Sequence, residues 1–501
     1  MTILESLTIS DWLRTELKQG RFPPRMPAHR RVYESIRRAI ANEHLTPGTR
    51  LPSTRSLAQD LDLSRNTLLA AFEQLHEEGY VVSQVGSGTR VADTLPESFL
   101  VLDEAQAQGG QEAAKRPAIL SRRGTMAAGP VDQPSHEVQP FTPGEDDFSA
   151  FPTRLWRRLL NRQWRDPQPA YLDYGHAGGH LPLRRAIANY LRMSRTVNLT
   201  VEQVLITSGT QQSIDLCARM LTDVGDRVWV ESPCYWGARR VLEVNGLDLH
   251  PVPVDDEGMA PGNRDFRRPP RLIYTTPSHQ YPKGVVMSYG RRRLLLDYAA
   301  SRGAWILEDD YDSEFRFEGR PLSSLQGMDQ NGCVLYMGTF SKVMYPGIKL
   351  GYIVVPPDLA DSFKRGLYEL QRPGQVVIQA ALAEFIEEGH FSTHIRRLRQ
   401  IYKERRQLLQ KVLAPVATVG ARLPPAGSGL HLVVELPAHC DDVRVAELAA
   451  EQGLRVYPLS LYGVGEKREK GLIVGYAYAA TERITPYGRI LADVIQAALS
   501  S

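Results

Sequence analysis

The sequence predicts an α/β protein in which a small helical unit precedes a large unit with a mostly parallel sheet. Near the N-terminus, the apolar residues Val32, Ile36 and Ile40 recur one helical turn apart and predict an amphipathic helix over 31–41. From about residue 141, helical patterns alternate with short β-rich runs, which indicates a sheet covered by helices on both faces. The runs are QVLIT, RVWVES, RLIYTT, AWILEDDY and CVLYMG.

Changes in composition divide the 501 residues into four segments. The segment before the large unit mixes Gln, Ala, Gly, Pro and charged residues without sustained periodicity, which is typical of a linker. We expect an N-terminal extension over 1–24, a helical unit over 25–92, a linker over 93–140 and the large unit over 141–501, with a smaller C-terminal α+β part from about 360.

Composition restricts where the protein works. Four cysteines are widely spaced without a CxxC pair, so we predict neither a disulfide framework nor a metal site. The first residues lack the pattern of a signal peptide, and no apolar run approaches the roughly 20 residues that span a bilayer. We therefore expect a cytoplasmic protein without a membrane segment. The net charge of +3 is too small to indicate a nucleic-acid partner by itself.

The small unit has the order of a helix-turn-helix followed by a hairpin. A short helix over 56–61, with Ser53 or Thr54 as its N-cap, precedes a longer helix RNTLLAAFEQLHEEGY that Ser64 caps. YVVSQVGSGTRV then predicts a wing with Arg90 near its tip. Between residues 25 and 65, eight arginines face four acids, a local balance of +4 that favours nucleic acid.

This small unit resembles the GntR class of winged helix-turn-helix regulators, through LPSTRSLAQDL, SRNT and GSGT. The resemblance implies contact with double-stranded DNA, and Gly86 to Arg90 would form the wing. Many members carry an arginine where this chain has Leu69. Solvated helix faces with intramolecular ion pairs remain the alternative for the arginines. The predicted DNA-binding residues are Ser53, Arg55, Ser64, Arg65, Asn66, Thr67, Gly88 and Arg90.

Two strand ends of the large unit offer groups for an anion and for an aromatic ring. LITSGTQQ passes from a β run into an amphipathic helix, whose first backbone amides favour an anion; the candidates are Gly209, Thr210 and Gln211. VWVESPCYW places Tyr235 just after a strand, in position to stack on a ring. Each signal alone also fits an ordinary glycine-rich turn or core packing.

Two further segments supply carboxylates and a lysine. AWILEDDYDSEF is an apolar strand ending in acids, at the edge where α/β sheets bind ligands. A lysine, a carboxylate for a pyridine nitrogen, a group for the ring oxygen, a stacking aromatic and a phosphate cradle together hold pyridoxal phosphate. We assign Asp309 to the nitrogen, Tyr311 to the ring oxygen and Lys342 as the reactive amine. A solvated loop or metal site is the alternative for the acids.

From about 145 to 480 the chain resembles the fold-type-I, aspartate-aminotransferase-like pyridoxal phosphate enzymes. The matching stretches are YGHAGGHLPLRRAIANYL, TSGTQQ, ESPCY, TPSHQYPKG, EDDYDSEF and GTFSKVMYPGIKLGY. The resemblance implies that Lys342 is the Schiff-base lysine. It also places Thr339, Ser341 and Lys349 near the phosphate, together with Gly209 and Thr210.

The two halves together resemble the MocR subfamily, in which a GntR-type winged helix is fused to an aminotransferase-like domain. The subfamily implies a homodimer, usually head-to-tail. Two departures concern the substrate: KGLIVGYAY lacks the arginine that transaminases use for a carboxylate, and Trp236 and Gly237 follow Tyr235 where one relative has an arginine. A third departure is Lys349, at a position that is commonly arginine.

These features favour a transcription regulator that senses pyridoxal phosphate or a reactive amine lacking an α-carboxylate, without robust transaminase activity. Two alternatives stay open. One is an active aminotransferase with an accessory DNA-binding domain, and the other is a DNA-binding protein whose large domain holds no cofactor.

Overall fold

The computed structural model divides the chain into two compact units, Met1–Ala118 and Ile119–Ser501. Each unit has its own buried apolar core. The structure describes residues 3–18, 22–23, 25–42, 44–84, 88–93, 120–128, 138–167, 169–319, 323–372, 374–424, 427–465 and 468–500.

The first unit is a four-helix arrangement with a two-stranded hairpin. Val32 and Ile36 are fully buried, as their spacing predicts, and the helix that carries them begins at Ala28, before the predicted start. The two strands pair antiparallel. The elements are α1 (Ile3–Lys18), α2 (Ala28–Ala41), α3 (Thr54–Leu61), α4 (Arg65–Glu77), β1 (Val81–Gln84) and β2 (Gly88–Val91).

The segment expected to be an extension, 1–24, carries α1, and this helix packs on α2 and α3. Leu13 is fully buried in the core of the unit. Ser10 donates a hydrogen bond to the Asp60 carboxylate at 2.7 Å. Residues 9–18 are therefore part of the first unit's packing.

The second unit is built around an eight-stranded sheet in the order β3-β10-β9-β8-β7-β4-β5-β6. All five β-rich runs noted in the sequence form strands, and the central strands are parallel, as predicted. Strand β10 runs antiparallel to both β3 and β9. The strands are β3 (Val204–Thr207), β4 (Arg227–Ser232), β5 (Asp248–Asp255), β6 (Gly258–Met259), β7 (Leu272–Thr275), β8 (Trp305–Asp310), β9 (Val334–Thr339) and β10 (Gly351–Val354).

Helices cover both faces of this sheet because successive strand residues point to opposite sides. Ile306 lies in one core cluster and Leu307 in the other. The helices are α5 (Arg122–Ala127), α6 (Thr153–Arg165), α7 (Leu181–Arg195), α8 (Thr210–Leu221), α9 (Trp236–Val244), α10 (Asn263–Phe266), α11 (Tyr289–Arg302), α12 (Leu325–Met328), α13 (Ala360–Gln371) and α14 (Val376–Glu387).

The C-terminal part is α+β, as predicted, with a three-stranded antiparallel sheet in the order β11-β13-β12. Its core is continuous with Phe141 and Trp156 from the beginning of the second unit. The elements are α15 (His390–Leu413), β11 (His431–Glu435), α16 (Asp442–Glu451), β12 (Tyr457–Pro458), β13 (Gly471–Gly475) and α17 (Thr481–Ser500).

Helix α5 lies inside the predicted linker 93–140 and packs against α9. The Arg240 guanidinium on α9 donates to the Met126 carbonyl at 2.8 Å. Residues 122–127 are therefore fixed to the large unit, while 94–119 and 129–137 fall outside the described residues. Of the helices that the structure describes, none has the length and apolar character needed to cross a bilayer.

Candidate functional site

Three strands bring two predicted phosphate-binding segments together. Gly351 at the start of β10 pairs with Thr207 at the end of β3 and with Thr339 at the end of β9. A Cβ at Gly351 would lie 2.9 Å from the Gly209 Cα and 2.9 Å from the Gly338 carbonyl oxygen, so no larger residue fits without movement. The close approach places the glycine turn beside Thr339.

The turn after β3 has the geometry of an anion cradle. Gly209 is the N-cap of α8, and its φ of 121° is a conformation that favours glycine. No heavy atom lies within 4 Å of the position where a Cβ would be, so space opens above the turn. Thr210 is half-buried and Gln211 is exposed. Gln212, which the sequence analysis missed, accepts a hydrogen bond from the Ser208 amide.

Lys342 follows β9 and lies next to the beginning of the large unit. Its amine donates to the Gly144 carbonyl at 2.5 Å. The Ser341 amide donates to the Thr339 hydroxyl at 3.1 Å, so the two predicted phosphate ligands share one tight turn. Lys349 is exposed and has a φ of 49°, in the left-handed region. Lys349 is therefore an exposed cation two residues before Gly351, and Lys342 is a half-buried amine.

The three acids that end β8 have different partners. Glu308 accepts from the Leu325 and Gln326 amides at 2.8 and 2.9 Å, and Asp310 pairs with Arg195 at 2.8 Å. Because strand residues alternate in direction, Asp309 points to the other face. Glu308 and Asp310 are thus engaged in structural contacts through backbone amides and an ion pair, although one oxygen of Asp310 has no partner among the described residues. That Asp309 meets a ligand stays a prediction.

One oxygen of Asp309 accepts from the Tyr274 hydroxyl at 2.7 Å. The other oxygen is buried and has no hydrogen-bond partner among the described residues. Burial raises the pKa of Asp309 to about 7. A buried carboxylate oxygen without a partner is costly, so this atom is suited to a ligand that donates an N–H.

Tyr311 belongs to a buried cluster with two residues that sequence reasoning missed. The Nδ1 atom of His279 lies 2.9 Å from the Tyr311 hydroxyl and 2.8 Å from the Asp312 carboxylate. Burial, and next the negative charge of Asp312, raises the pKa of the Tyr311 hydroxyl. The motif TPSHQYPKG contains this histidine, but its spacing alone gives no signal for the contact.

Tyr281 joins the predicted stacking residue to this cluster. Its ring packs edge-on against Tyr235 at 5.8 Å, Tyr311 at 5.7 Å and Tyr462 at 5.7 Å between centroids. Tyr235 is the N-cap of α9, and burial, followed by the charge of Asp309, raises its pKa. The aromatic group thus extends from Asp309 to the C-terminal part.

An apolar residue fills the strand where transaminases place an arginine. Ile473 on β13 is fully buried and clusters with Val433, Leu459 and Tyr462, while Tyr281 and Tyr457 pack against this group. The cluster presents no charge. The strand's lack of an arginine, noted in the sequence, is therefore accompanied by an aromatic and aliphatic wall.

Asp146 was not predicted, and it is the least satisfied acid near Lys342. It is 4% exposed, and neither carboxylate oxygen has a hydrogen-bond partner within the part of the chain that the structure describes. Burial raises its pKa to about 7, while the charge of Lys342 acts in the opposite direction. The acids in GEDD look alike in the sequence, where nothing distinguishes the buried one.

The first unit contains the predicted helix-turn-helix. Ser53 caps α3 by accepting from the Ser56 amide, and Ser64 caps α4 by accepting from the Thr67 amide, both at 3.1 Å. Asp62, in the left-handed region, ends α3. Helix α4 is therefore fixed at its N-terminus, the end that a recognition helix presents to the major groove.

The arginines of the basic stretch 25–65 differ in their surroundings. Arg37 pairs with Glu34 at 3.1 Å, as the alternative of intramolecular pairing expects. Arg55 and Arg65 are exposed and make no hydrogen bond or ion pair with the described residues. Asn66 is also exposed, and Thr67 is half-buried. The free arginines lie at the starts of α3 and α4.

The structure confirms the predicted hairpin of the wing but corrects the predicted position of Arg90. This residue pairs with Val82 within the strands, and its guanidinium donates to the Gly48 carbonyl at 2.9 Å. The side chain therefore lies against the loop before α3 and is already engaged. Gly88 begins β2 and is exposed. Gly86, predicted to belong to the wing, lies outside the described residues, as do residues 85 and 87.

Comparison with known proteins follows the same two units. Residues 28–91 match the family "Bacterial regulatory proteins, gntR family", and residues 148–475 match "Aminotransferase class I and II". The chain is 42% identical to the "Probable rhizopine catabolism regulatory protein MocR" of Rhizobium meliloti, over 90% of each chain. The chain belongs to the MocR subfamily of GntR-type transcription regulators.

Two further relatives show the breadth of this similarity. This MocR-type regulator is 32% identical to the "HTH-type pyridoxine biosynthesis transcriptional regulator PdxR" of Corynebacterium glutamicum, over 88% of this chain and 90% of that one. Among solved structures, LysN, an α-aminoadipate aminotransferase from Thermus thermophilus, covers 80% of this chain and is itself covered completely, with 26% identity and a TM-score of 0.68.

The aminotransferase class I and II fold family binds pyridoxal phosphate, and the residues of this MocR-type regulator fit that group. The unpaired oxygen of Asp309 suits a protonated pyridine nitrogen. The turn at Gly209 suits a phosphate, and Lys342 supplies the amine. These three features are independent of one another and lie on different strand ends.

Proposed function

We propose that this protein is a ligand-responsive regulator that binds pyridoxal phosphate in its large unit and double-stranded DNA through its winged helix. The observation that carries the proposal is the buried, unpaired oxygen of Asp309. An uncompensated buried polar atom costs about 1–3 kcal/mol, and a ligand N–H removes that cost. A domain that had lost its cofactor would have no reason to keep it.

We assign a different part of the cofactor to each of the site residues. When bound, pyridoxal phosphate supplies an electrophilic carbon that captures amines. Lys342 would hold it covalently, and Asp309 would keep its pyridine nitrogen protonated. Tyr235 would stack on the ring, and Tyr311 would hold the ring oxygen. The phosphate would lie against Gly209, Thr210, Gln211, Thr339, Ser341 and Lys349.

The side of the site that contains β13 favours sensing of a ligand over catalytic turnover of a substrate. Ile473 is fully buried in an uncharged cluster, so β13 offers no guanidinium to orient an α-carboxylate. Orientation supplies much of the barrier reduction in such reactions. We therefore expect the effector to be pyridoxal phosphate itself or an amine without an α-carboxylate. Rapid amino-group transfer from common amino acids would support the alternative, an active aminotransferase.

The response to ligand requires two arrangements of the protein. A ligand that binds one arrangement more tightly shifts the population toward it and so changes DNA affinity. We propose a head-to-tail homodimer, in which a change in either large unit alters the spacing of two winged helices. DNA contact would involve Arg55, Arg65, Asn66 and Thr67, with Gly88 and Arg90 in the wing.

The test is fluorescence anisotropy of the full chain on DNA from upstream of its own gene, with and without pyridoxal phosphate at fixed salt. A change in affinity that disappears in Lys342→Ala supports the proposal. If pyridoxal phosphate leaves the DNA affinity of the wild type unchanged, the cofactor is a permanently bound group, and amines are the next ligands to test. Arg65→Ala serves as the control, because it should weaken DNA binding while leaving cofactor retention intact.

A further inference from the structure

The environment of Asp146 defines a second group that the effector must carry. The carboxylate is 4% exposed, and both oxygens lack a hydrogen-bond partner among the described residues. An isolated buried carboxylate is unfavourable unless it pairs with a cation or is protonated. Its surroundings therefore favour a ligand that brings a donor, which this part of the chain does not provide.

Asp146 lies beside the reactive amine. Lys342 donates to the Gly144 carbonyl at 2.5 Å, two residues before Asp146. A Cβ on Gly144 would be 3.6 Å from the same amine, so the chain passes close to it. Lys342 is also the cation whose charge opposes the effect of burial on the Asp146 pKa. If Lys342 forms a covalent bond with the cofactor, Asp146 loses the free ammonium group that opposes the effect of its burial.

The segment that carries Asp146 is fixed in place. The next residue, Asp147, pairs with Arg405 at 2.6 Å, and Arg405 also donates to the Thr481 hydroxyl at 3.2 Å. Arg405 is 3% exposed, so its guanidinium is committed to this contact. The carboxylate of Asp146 is therefore presented by a rigid support, as a recognition group must be.

The surfaces nearby favour a cation over an anion. Burial first, and the negative charge of Glu145 last, raise the pKa of Tyr457 to about 12, so the segment before Asp146 lies within electrostatic range of a tyrosine that packs against the Ile473 cluster. That wall of aromatic and aliphatic residues contains Tyr281 and Tyr462 around Ile473. Tyrosine faces attract ammonium groups, and a carboxylate ligand would meet Asp146 as a like charge. The site thus has the opposite polarity from one that binds an amino acid's carboxylate.

We propose that Asp146 forms a subsite for a second ammonium group, and that the effector is a diamine. One amine would replace the Lys342 amine at the cofactor's electrophilic carbon: a new C=N bond would form as the bond to Lys342 breaks, and Lys342 would leave as a free amine. The other amine, as an ammonium group, would pair with Asp146. This inference rests on the proposed function, because it assigns the ligand of the same site.

The experiment uses the full chain loaded with pyridoxal phosphate and measures dissociation constants by isothermal titration calorimetry. The probes are linear α,ω-diamines of three to six carbons, each paired with the monoamine, the amino alcohol and the ω-amino acid of the same length. We expect one diamine to bind at least about tenfold more tightly than its matched monoamine, and the amino acid to bind most weakly.

Asp146→Asn should remove the preference for the diamine and leave the affinity for the monoamine unchanged. Glu145→Gln, the neighbouring half-exposed acid, is the matched control and should keep most of the preference. Equal binding of diamine and monoamine by the wild type at every length overturns the inference. Equal binding of amino alcohol and diamine also overturns it, because Asp146 would then recognise a neutral donor.

DNA anisotropy with the same ligands separates this inference from the proposed function. A diamine preference that depends on Asp146 without any change in DNA affinity upholds the subsite and overturns the coupling to DNA. DNA binding that responds to pyridoxal phosphate, in a protein with no diamine preference, overturns the subsite and leaves the regulator proposal standing.

Discussion

The two sides of the large unit's site differ in how completely they follow the aminotransferase pattern. On the cofactor side, Asp309, Tyr311 and Lys342 occupy strand ends as the family resemblance implies, and Tyr274 supports Asp309 at 2.7 Å. On the opposite side, β13 carries no arginine and its Ile473 is buried, and a buried acid, Asp146, lies near the amine. The groups that we propose to hold a cofactor are present, while β13 lacks an arginine that could orient an amino acid.

This difference indicates separate constraints on holding a cofactor and on turning over a substrate. Cofactor retention needs a few groups on rigid strand ends. Turnover further requires a clamp that fixes the substrate for proton transfer. A regulator can keep the first and alter the second, because a change in bound state suffices to shift a population.

Lys342→Ala tests the cofactor side most directly, and its expected effect is the largest. Without the amine, covalent attachment is lost, so cofactor absorbance should disappear after extensive dialysis. Lys349→Ala is the control: the exposed cation should weaken retention only partly. A Lys342→Ala protein that keeps its cofactor through dialysis would show that attachment does not depend on this residue.

Asp309→Asn should weaken pyridoxal phosphate binding by roughly tenfold to a hundredfold, because a hydrogen bond to a charged group contributes about 1.5–3 kcal/mol. Equilibrium titration of cofactor fluorescence measures the change. Tyr274→Phe keeps the carboxylate and removes one supporting hydrogen bond, so its effect should be smaller. An effect of Tyr274→Phe equal to that of Asp309→Asn would mean that support, and not charge, governs affinity.

Gly351→Ala should disturb the phosphate cradle, since the new methyl group would lie 2.9 Å from the Gly209 Cα. We expect cofactor affinity to fall several-fold and the protein to lose about 1–3 kcal/mol of stability. Gly290→Ala, in α11, is the control and should change neither quantity, because no heavy atom lies within 4 Å of the position that its Cβ would take. Urea unfolding with cofactor titration checks both.

The side of the site that contains Asp146 can be tested through the pH dependence of the protein's stability. The pKa of Asp146 is raised from 3.8 to about 7, so the folded protein binds a proton that the unfolded chain releases between these values. The contribution of Asp146 to the free energy of unfolding therefore falls as pH rises from about 4 to about 7. Asp146→Asn should raise the melting temperature of the cofactor-free protein by roughly 2–4 °C at pH 8, and by less at pH 5.

The control for this pH effect is Glu145→Gln, which should leave the melting temperature nearly unchanged at both values. Glu308, Asp309 and Glu314 also have pKa values raised to about 7 by burial, so only the difference between variant and wild type isolates Asp146. A constant difference across the pH range would contradict the assignment.

Much of the fold follows from local patterns. Alternating strands and helices predicted the sheet class, and the serine caps located both helices of the helix-turn-helix. Strand β10 was not recognised, because GYIV is short and its antiparallel pairing depends on partners far along the chain. The position of Arg90 was misjudged for the same reason, since its partner Gly48 is distant in sequence.

Among the proposed site residues, those at or next to strand ends could be nominated from the sequence. Asp309 could be nominated because it ends an apolar strand, at the edge where α/β sheets bind ligands. Asp146, His279 and Asp312 could not be nominated in this way. His279 and Asp312 matter through contacts between residues more than thirty positions apart, and Asp146 matters through its burial and its lack of a hydrogen-bond partner among the described residues. Tertiary contacts, and not local pattern, distinguish them.

The position of β3 at the end of the large sheet affects how the protein is made. All four residues of this strand are buried in the finished sheet, where its one neighbour in the described sheet is β10. At about 5–20 residues per second, the ribosome needs on the order of ten seconds to synthesise the residues between them. During that time the apolar segment VLIT has no strand to pair with. Overproduction should therefore favour aggregation unless nascent chains are protected, and slow synthesis at low temperature lengthens the same exposure.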